Sequence, residues 1–228
     1  MMQTWTREQL AAVIDHSVLQ PGATLEEVLQ ACAEAREHGF RTVCVAPVWV
    51  ADAAAALRES GQVAAVIGFP HGNTFPEAKV LEATRALEAG AKELDMVLQT
   101  GALKSGNAAL VLRDIEGVVE AAREYGALVK VILETGLLTD PEKLLACKIA
   151  EKAGAHFVKT STGFGPRGAT EADVALLRRA VRNHLGVKAA GGIRTLAQAL
   201  AMLSAGATRI GTSASVAILA EVTAGEPN

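Results

Sequence analysis

Two hydrophobic rhythms alternate along the chain. Segments with apolar residues at helical spacing end in a glycine, and each glycine is followed by a short β-branched or apolar run. Three early junctions are Glu37-His38-Gly39-Phe40 before Thr42-Val43-Cys44-Val45, Ser60-Gly61 before Val63-Ala64-Ala65-Val66-Ile67, and Ala89-Gly90-Ala91 before Glu93-Leu94-Asp95-Met96-Val97. Two more are Tyr125-Gly126-Ala127 before Leu128-Val129-Lys130-Val131-Ile132, and Ala153-Gly154-Ala155 before His156-Phe157-Val158-Lys159-Thr160. The last two are Leu185-Gly186 before Val187-Lys188-Ala189-Ala190, and Ala205-Gly206-Ala207 before Arg209-Ile210-Gly211. Each glycine is expected as a left-handed helix cap, since glycine alone takes positive φ without a Cβ penalty. A strand at Ile14-Asp15-His16-Ser17-Val18 precedes them all and makes eight.

Helix starts are marked by Thr24 with Glu27, by Thr139-Asp140-Pro141, and by Thr170 with Asp173. Eight strands alternating with helices require parallel pairing through helical crossovers. An open doubly wound sheet more often has five or six strands and a Gly-x-Gly-x-x-Gly turn after the first, which is absent here. The expected fold is a single (β/α)8 TIM barrel spanning residues 1–228 as one domain. A short helix from about Arg7 to Val13 closes its bottom, and small aliphatic residues fill its layers.

Composition agrees with that picture. Hydrophobic residues make up 50% of the 228 and aromatic residues only 4%, so the core is built from Ala, Val, Leu and Ile. The net charge of −3 gives no reason to expect nucleic acid or an anionic membrane as partner. Cys32, Cys44 and Cys147 are odd in number and unpaired in spacing, which suits reduced thiols in the cytoplasm. The start at Met1-Met2-Gln3-Thr4-Trp5 has no leader pattern, and no apolar run approaches the roughly 18 residues of a membrane helix.

Charge inside the predicted strands changes the picture more. Asp15, Asp95, Lys130, Lys159 and Lys188 fall within or at the ends of strands one, four, five, six and seven. Any one of them alone suits a solvated strand end. Three lysines on consecutive strands, next to Asp95, are expected to share one barrel mouth, where burial demands partners. An ordinary lysine, with a pKa of about 10.4, is neutral to about one part in a thousand near pH 7.4. Like charge and desolvation lower that value, and a neutral amine attacks carbonyls to give a Schiff base. Two glycine-rich stretches, Ala189-Ala190-Gly191-Gly192-Ile193 and Gly211-Thr212-Ser213-Ala214-Ser215, follow strands seven and eight, the usual phosphate cradle of this fold.

With Lys159-Thr160-Ser161-Thr162-Gly163 added to Ile14-Asp15-His16-Ser17, Val43-Cys44-Val45, Gly68-Phe69-Pro70-His71-Gly72, Glu93-Leu94-Asp95-Met96-Val97 and Lys188-Ala189-Ala190-Gly191-Gly192-Ile193, the chain resembles the deoxyribose-phosphate aldolases. The resemblance runs in order from about Asp15 to Ser215. It implies a class I aldolase without cofactor or metal, which reversibly cleaves 2-deoxy-D-ribose 5-phosphate to D-glyceraldehyde 3-phosphate and acetaldehyde. It also implies Lys159 as Schiff-base lysine, Lys188 as the lysine that lowers its pKa and joins a proton relay, and Asp95 as acid and base through a water. Asp15, Ser17, Cys44 and Lys130 match pocket residues. Thr162, Gly191, Gly192, Gly211 and Ser213 match substrate or phosphate contacts. Small sugar phosphates and aldehydes are the expected ligands, and a homodimer or homotetramer the expected assembly.

Two positions depart from that pattern. Phe164 stands where some members carry a phosphate-contacting lysine, with Arg167 three residues on, and no tyrosine ends the chain. His71 suits substrate contact or loop structure equally. The remaining histidines lack metal-ligand spacing, and Trp5 and Trp49 suit packing. A sugar-phosphate isomerase or epimerase would share the phosphate loops but would want a placed Glu or His base. A non-catalytic sugar-phosphate binding protein predicts ordinary lysines.

Overall fold

The computed structural model describes residues 5–222. Residues 1–4, most of the start read for a leader, and 223–228, the end read for a tyrosine, lie outside the described residues. Eight parallel strands form one closed barrel in chain order: β1 (Ile14–Val18), β2 (Thr42–Val45), β3 (Gln62–Ile67), β4 (Glu93–Val97), β5 (Leu128–Ile132), β6 (Phe157–Lys159), β7 (Gly186–Ala190) and β8 (Arg209–Thr212). Closure is made by β8 pairing with β1, with Asp15 opposite Gly211.

Around this sheet run α2 (Leu25–His38), α3 (Val50–Leu57), α4 (Pro76–Glu88), α6 (Ala108–Arg123), α7 (Asp140–Lys152), α8 (Glu171–Val181), α9 (Leu196–Ser204) and α10 (Ser215–Ala220). The expected opening helix is α1, one turn at Arg7–Ala11, and a further short helix, α5 (Thr100–Lys104), follows β4. The marked starts behave as caps. Thr24 Oγ1 accepts from the Glu27 N–H at 3.3 Å while Glu27 Oε2 accepts from the Thr24 N–H at 2.7 Å. Asp173 N–H donates to Thr170 Oγ1 at 3.1 Å, and Thr139 N–H to Glu142 Oε2 at 2.7 Å.

The glycine junctions are of two kinds. Gly39, Gly90, Gly126, Gly154 and Gly206 have positive φ, as caps require. Gly61 and Gly186 do not, which corrects the expectation there. Helices α3 and α8 stop earlier, on Arg58 (φ 50°, ψ −123°) and Arg182 (φ 49°, ψ −121°). Gly186 is required for space: a Cβ there would stand 2.1 Å from the Phe157 ring.

Aliphatic residues do not fill the barrel's centre as expected. The apolar core lies between sheet and helices, where Leu94, Met96, Val129, Val131, Val158, Val187 and Ile210 pack outward from the strands. The alternate residues face inward. On β2 and β3 they are Cys44, Ala64 and Val66, a small separate cluster. On the other strands they include Val97, Ile132 and Ala190, but the charged ones dominate: Asp15, Glu93, Asp95, Lys130, Lys159, Lys188 and Arg209 are all buried.

Candidate active site

Strand alternation puts these inward groups within reach of one another. Asp95 on β4 is the hub. Its Oδ1 accepts from Lys130 Nζ at 2.6 Å, and its Oδ2 accepts from Lys159 Nζ at 2.9 Å and Lys188 Nζ at 2.8 Å. Lys188 also lies 2.5 Å from Asp15 Oδ2. One layer lower, Arg209 Nη1 donates to Asp15 Oδ1 at 2.5 Å and reaches Glu93, whose Oε2 sits 2.6 Å from Lys130 Nζ. Buried charges persist only when paired and hydrogen-bonded in this way.

Four cations thus meet three carboxylates, an excess of one positive charge if every group is ionised. Burial, the largest influence, and the Lys188 ammonium push the Lys159 amine below the ordinary lysine range, against the pull of Asp95. Burial acts the same way on Lys188, but Asp15 and Asp95 outweigh it and raise that lysine. Burial disfavours the Asp95 carboxylate, yet Lys130, Lys159 and Lys188 hold it well below the usual range. The two lysines on one oxygen are therefore driven apart. Lys159 is the member that most readily gives up its proton, and its neutral form balances the cluster.

Above the network a cavity of about 610 Å³ opens at the C-terminal ends of the strands. Its walls include Lys159, Ser17, Thr162, Gly191, Gly192, Gly211 and Ser213. Asp15, Cys44, Asp95, Lys130 and Lys188 lie beneath it and do not form its walls. One shared mouth for all three lysines is thus corrected: Lys159 alone reaches it, with the others stacked below. Gly211 serves the network as well as the wall, since a Cβ there would stand 2.8 Å from Lys188 Cε. The Cys44 thiol is pushed up by burial and by Asp95, and Cys32 and Cys147 are pushed up to about 11 and about 12 by burial, so none is poised as a nucleophile.

Phe164 forms part of the cavity wall, edge-to-face with Phe69 at 5.4 Å. Arg167 is turned away, onto Asp173 and the Thr135 carbonyl, so it does not replace the missing lysine. Arg194, four residues after the start of the Ala190-Gly191-Gly192 turn, lines the cavity instead. His71 sits in a separate pocket of about 60 Å³ with Thr162 and Phe164. Among the described residues no group of three or more metal-binding side chains occurs, and no helix is long and apolar enough to cross a membrane.

Sequence reasoning missed Glu93, Arg209 and Glu134. The signal for Glu93 was present: it is two residues before Asp95 on one strand, hence on the same face. Arg209 likewise begins a recognised strand two residues before Gly211. Glu134 gave no signal. It is buried at φ 54° beyond β5, and its carboxylate accepts from both the N–H and the hydroxyl of Thr162, fixing the loop after Lys159.

A family model for the DeoC/LacD family aldolases matches residues 9–221. The chain belongs to that family. Relatives of this aldolase include the deoxyribose-phosphate aldolase of Halalkalibacterium halodurans, 55% identical over 92% of this chain and 94% of the relative. That of Thermococcus gammatolerans is 56% identical over 92% and 95%. Among solved structures, the tetrameric deoxyribose phosphate aldolase of Aeropyrum pernix superposes with a TM-score of 0.89 at 39% identity, covering 94% of this chain and 91% of that one.

Proposed function

We propose that the protein reversibly cleaves 2-deoxy-D-ribose 5-phosphate to D-glyceraldehyde 3-phosphate and acetaldehyde through a Schiff base on Lys159. One observation carries it: Lys159 is the single member of a buried, positively unbalanced cluster that reaches the cavity, and its amine is the one driven toward neutrality. The close relatives named for this reaction support the same substrate.

The geometry supports the following steps. The Lys159 nitrogen lone pair attacks the C1 carbonyl of the open sugar, and loss of water leaves an iminium. A base takes the C3 hydroxyl proton, the O–H electrons form the new C3 carbonyl, and the C2–C3 pair flows into the iminium to give an enamine. Asp95, relayed through water because it lies beneath the cavity, takes that proton. As the nitrogen loses its positive charge, one of three cations depressing Asp95 disappears, so its basicity rises as the bond breaks. The proton returns to the enamine carbon, and hydrolysis releases acetaldehyde and Lys159. Lys188 keeps its proton throughout. The loops carrying Gly191, Gly192, Gly211 and Ser213, with Arg194, hold the phosphate, whose binding energy orients the carbon chain.

We place the reaction in cytoplasmic deoxyribonucleoside breakdown, carried by the whole chain as one domain in a homo-oligomer. Borohydride reduction with acetaldehyde or the sugar phosphate, followed by peptide mapping, tests the chemistry. An adduct on Lys159 is expected; active protein trapped elsewhere or nowhere overturns it. Activity lost to EDTA and restored by a divalent metal would point to metal-dependent polarisation instead.

A further inference from the structure

On the outer side of β1 a second polar chain, formed by His16, Glu34 and Gln30, borders the same cavity as Lys159. His16 lies between the inward Asp15 and Ser17 and is buried against the helix layer, its ring 5.2 Å from that of Phe40. His16 Nδ1 is 2.8 Å from Ser215 Oγ, and Nε2 is 2.9 Å from Glu34 Oε2. Ser215 opens α10 immediately after Thr212-Ser213-Ala214, and Glu34 sits on α2, where its other oxygen accepts from Gln30 at 2.9 Å. One imidazole thus ties β1 and the neighbouring α2 to α10, with Ser215 199 residues away in sequence.

Chemistry fixes the protons in this chain. Glu34 can only accept, so Nε2 carries the hydrogen. Burial, against the pull of Glu34, favours the uncharged ring, which leaves Nδ1 to accept from the Ser215 hydroxyl, the nearer of that proton's two acceptors at 2.8 Å against 3.3 Å for the Thr212 carbonyl. The same loop is held at its other end, where Thr212 Oγ1 donates to the Ile193 carbonyl at 2.6 Å and accepts from the Ala214 N–H at 2.9 Å. Ser213, exposed on the cavity wall, is therefore suspended between two anchors, one on the turn after β7 and one on β1 and α2.

We propose that His16 is a positioning residue: through Ser215 and Glu34 it sets the loop after β8 for the phosphate of the substrate. This rests on the aldolase function proposed above. A hydroxyl or N–H displaced by a fraction of an ångström loses much of its bond to a phosphate oxygen, whereas the aldehyde end is held by Lys159 on β6, elsewhere on the same cavity wall.

The test compares 2-deoxyribose 5-phosphate with unphosphorylated 2-deoxyribose. In His16→Leu the ratio of kcat/KM for the phosphate ester over the free sugar is expected to fall about tenfold, through KM of the ester. Ser215→Ala should lower the ratio in the same sense, and it leaves the ring in place should His16→Leu fold poorly. Glu34→Gln, which retains an acceptor for Nε2–H, should keep most of the ratio, and Glu34→Leu should lose it. Equal losses on both sugars, or no change in the ratio, with an active wild type, would overturn the positioning role alone. A wild type that traps no imine and cleaves neither sugar would overturn the aldolase function and this role together.

Discussion

Lys159 and Lys188 donate to the same oxygen of Asp95, 2.9 and 2.8 Å away, yet their proton affinities move in opposite directions. The difference lies in the second carboxylate. Asp15 faces Lys188 at 2.5 Å, while Lys159 shares only Asp95 and meets the Lys188 charge besides. Replacing Lys188 by Met removes that charge, so the Lys159 amine should hold its proton more tightly. The acid limb of the kcat/KM profile for the aldol cleavage is then expected to move to higher pH by about one unit. A limb that stays in place, or moves to lower pH, would show that burial alone tunes Lys159. At the same scale Glu134 is a buried carboxylate serving Thr162. Glu134→Ala leaves the Thr162 N–H without its partner and should cost about 1–3 kcal/mol in denaturant unfolding, with a loss in kcat/KM.

At the scale of elements, glycine punctuation followed by short apolar runs was enough to place seven strands, and the run from Ile14 to Val18 made the eighth. Strand residues here are either packed on helices or turned toward the barrel axis, so period and glycine punctuation coincide with the real boundaries, as at Ile14–Val18 and Glu93–Val97. What could not be read was where two helices stop. Arg58 and Arg182 end α3 and α8 in backbone conformations that glycine usually fills, and nothing in an arginine advertises this. Gly61 and Gly186 downstream are the usual cap residue without the cap conformation. Arg58→Gly and Arg182→Gly should therefore each stabilise the fold, by about 1 kcal/mol, measurable as a higher denaturant midpoint. Gly186→Ala is expected to do the reverse. Its Cβ meets the Phe157 ring, which in turn lies 5.4 Å beneath the Arg209 guanidinium, so the strain passes into the ion network. A neutral or stabilising Gly186→Ala would mean that Phe157 moves freely.

The whole molecule is organised by a ring that closes late in the chain. Asp15, on the first strand, gains Arg209 only when the eighth strand docks, 194 residues later. Site residues legible in sequence were those whose charge contradicted an apolar strand, and Lys159, Lys188 and Asp95 met that criterion. Arg209 did not stand out, because its strand starts at the barrel's lower edge, where a charge suits solvent equally well. Its buried role is a product of closure. Asp15 and Asp95, held low by their lysines and Arg209 in spite of burial, contribute stability that is complete above the ordinary carboxylate pKa of about 3.9. That contribution is lost as pH falls below this value toward their own. In Arg209→Leu, Asp15 and Glu93 lose a shared cation, and the loss at pH 7 should be about 3 kcal/mol. With weaker depression, the Asp15 carboxylate accepts a proton in the folded variant more readily than in the wild type. The penalty should therefore shrink between about pH 4 and about pH 2, as measured by denaturant midpoints at the two values. A penalty equal at both would mean that Arg209 acts through its packing on Phe157, and that the closing strand is held by shape instead of charge.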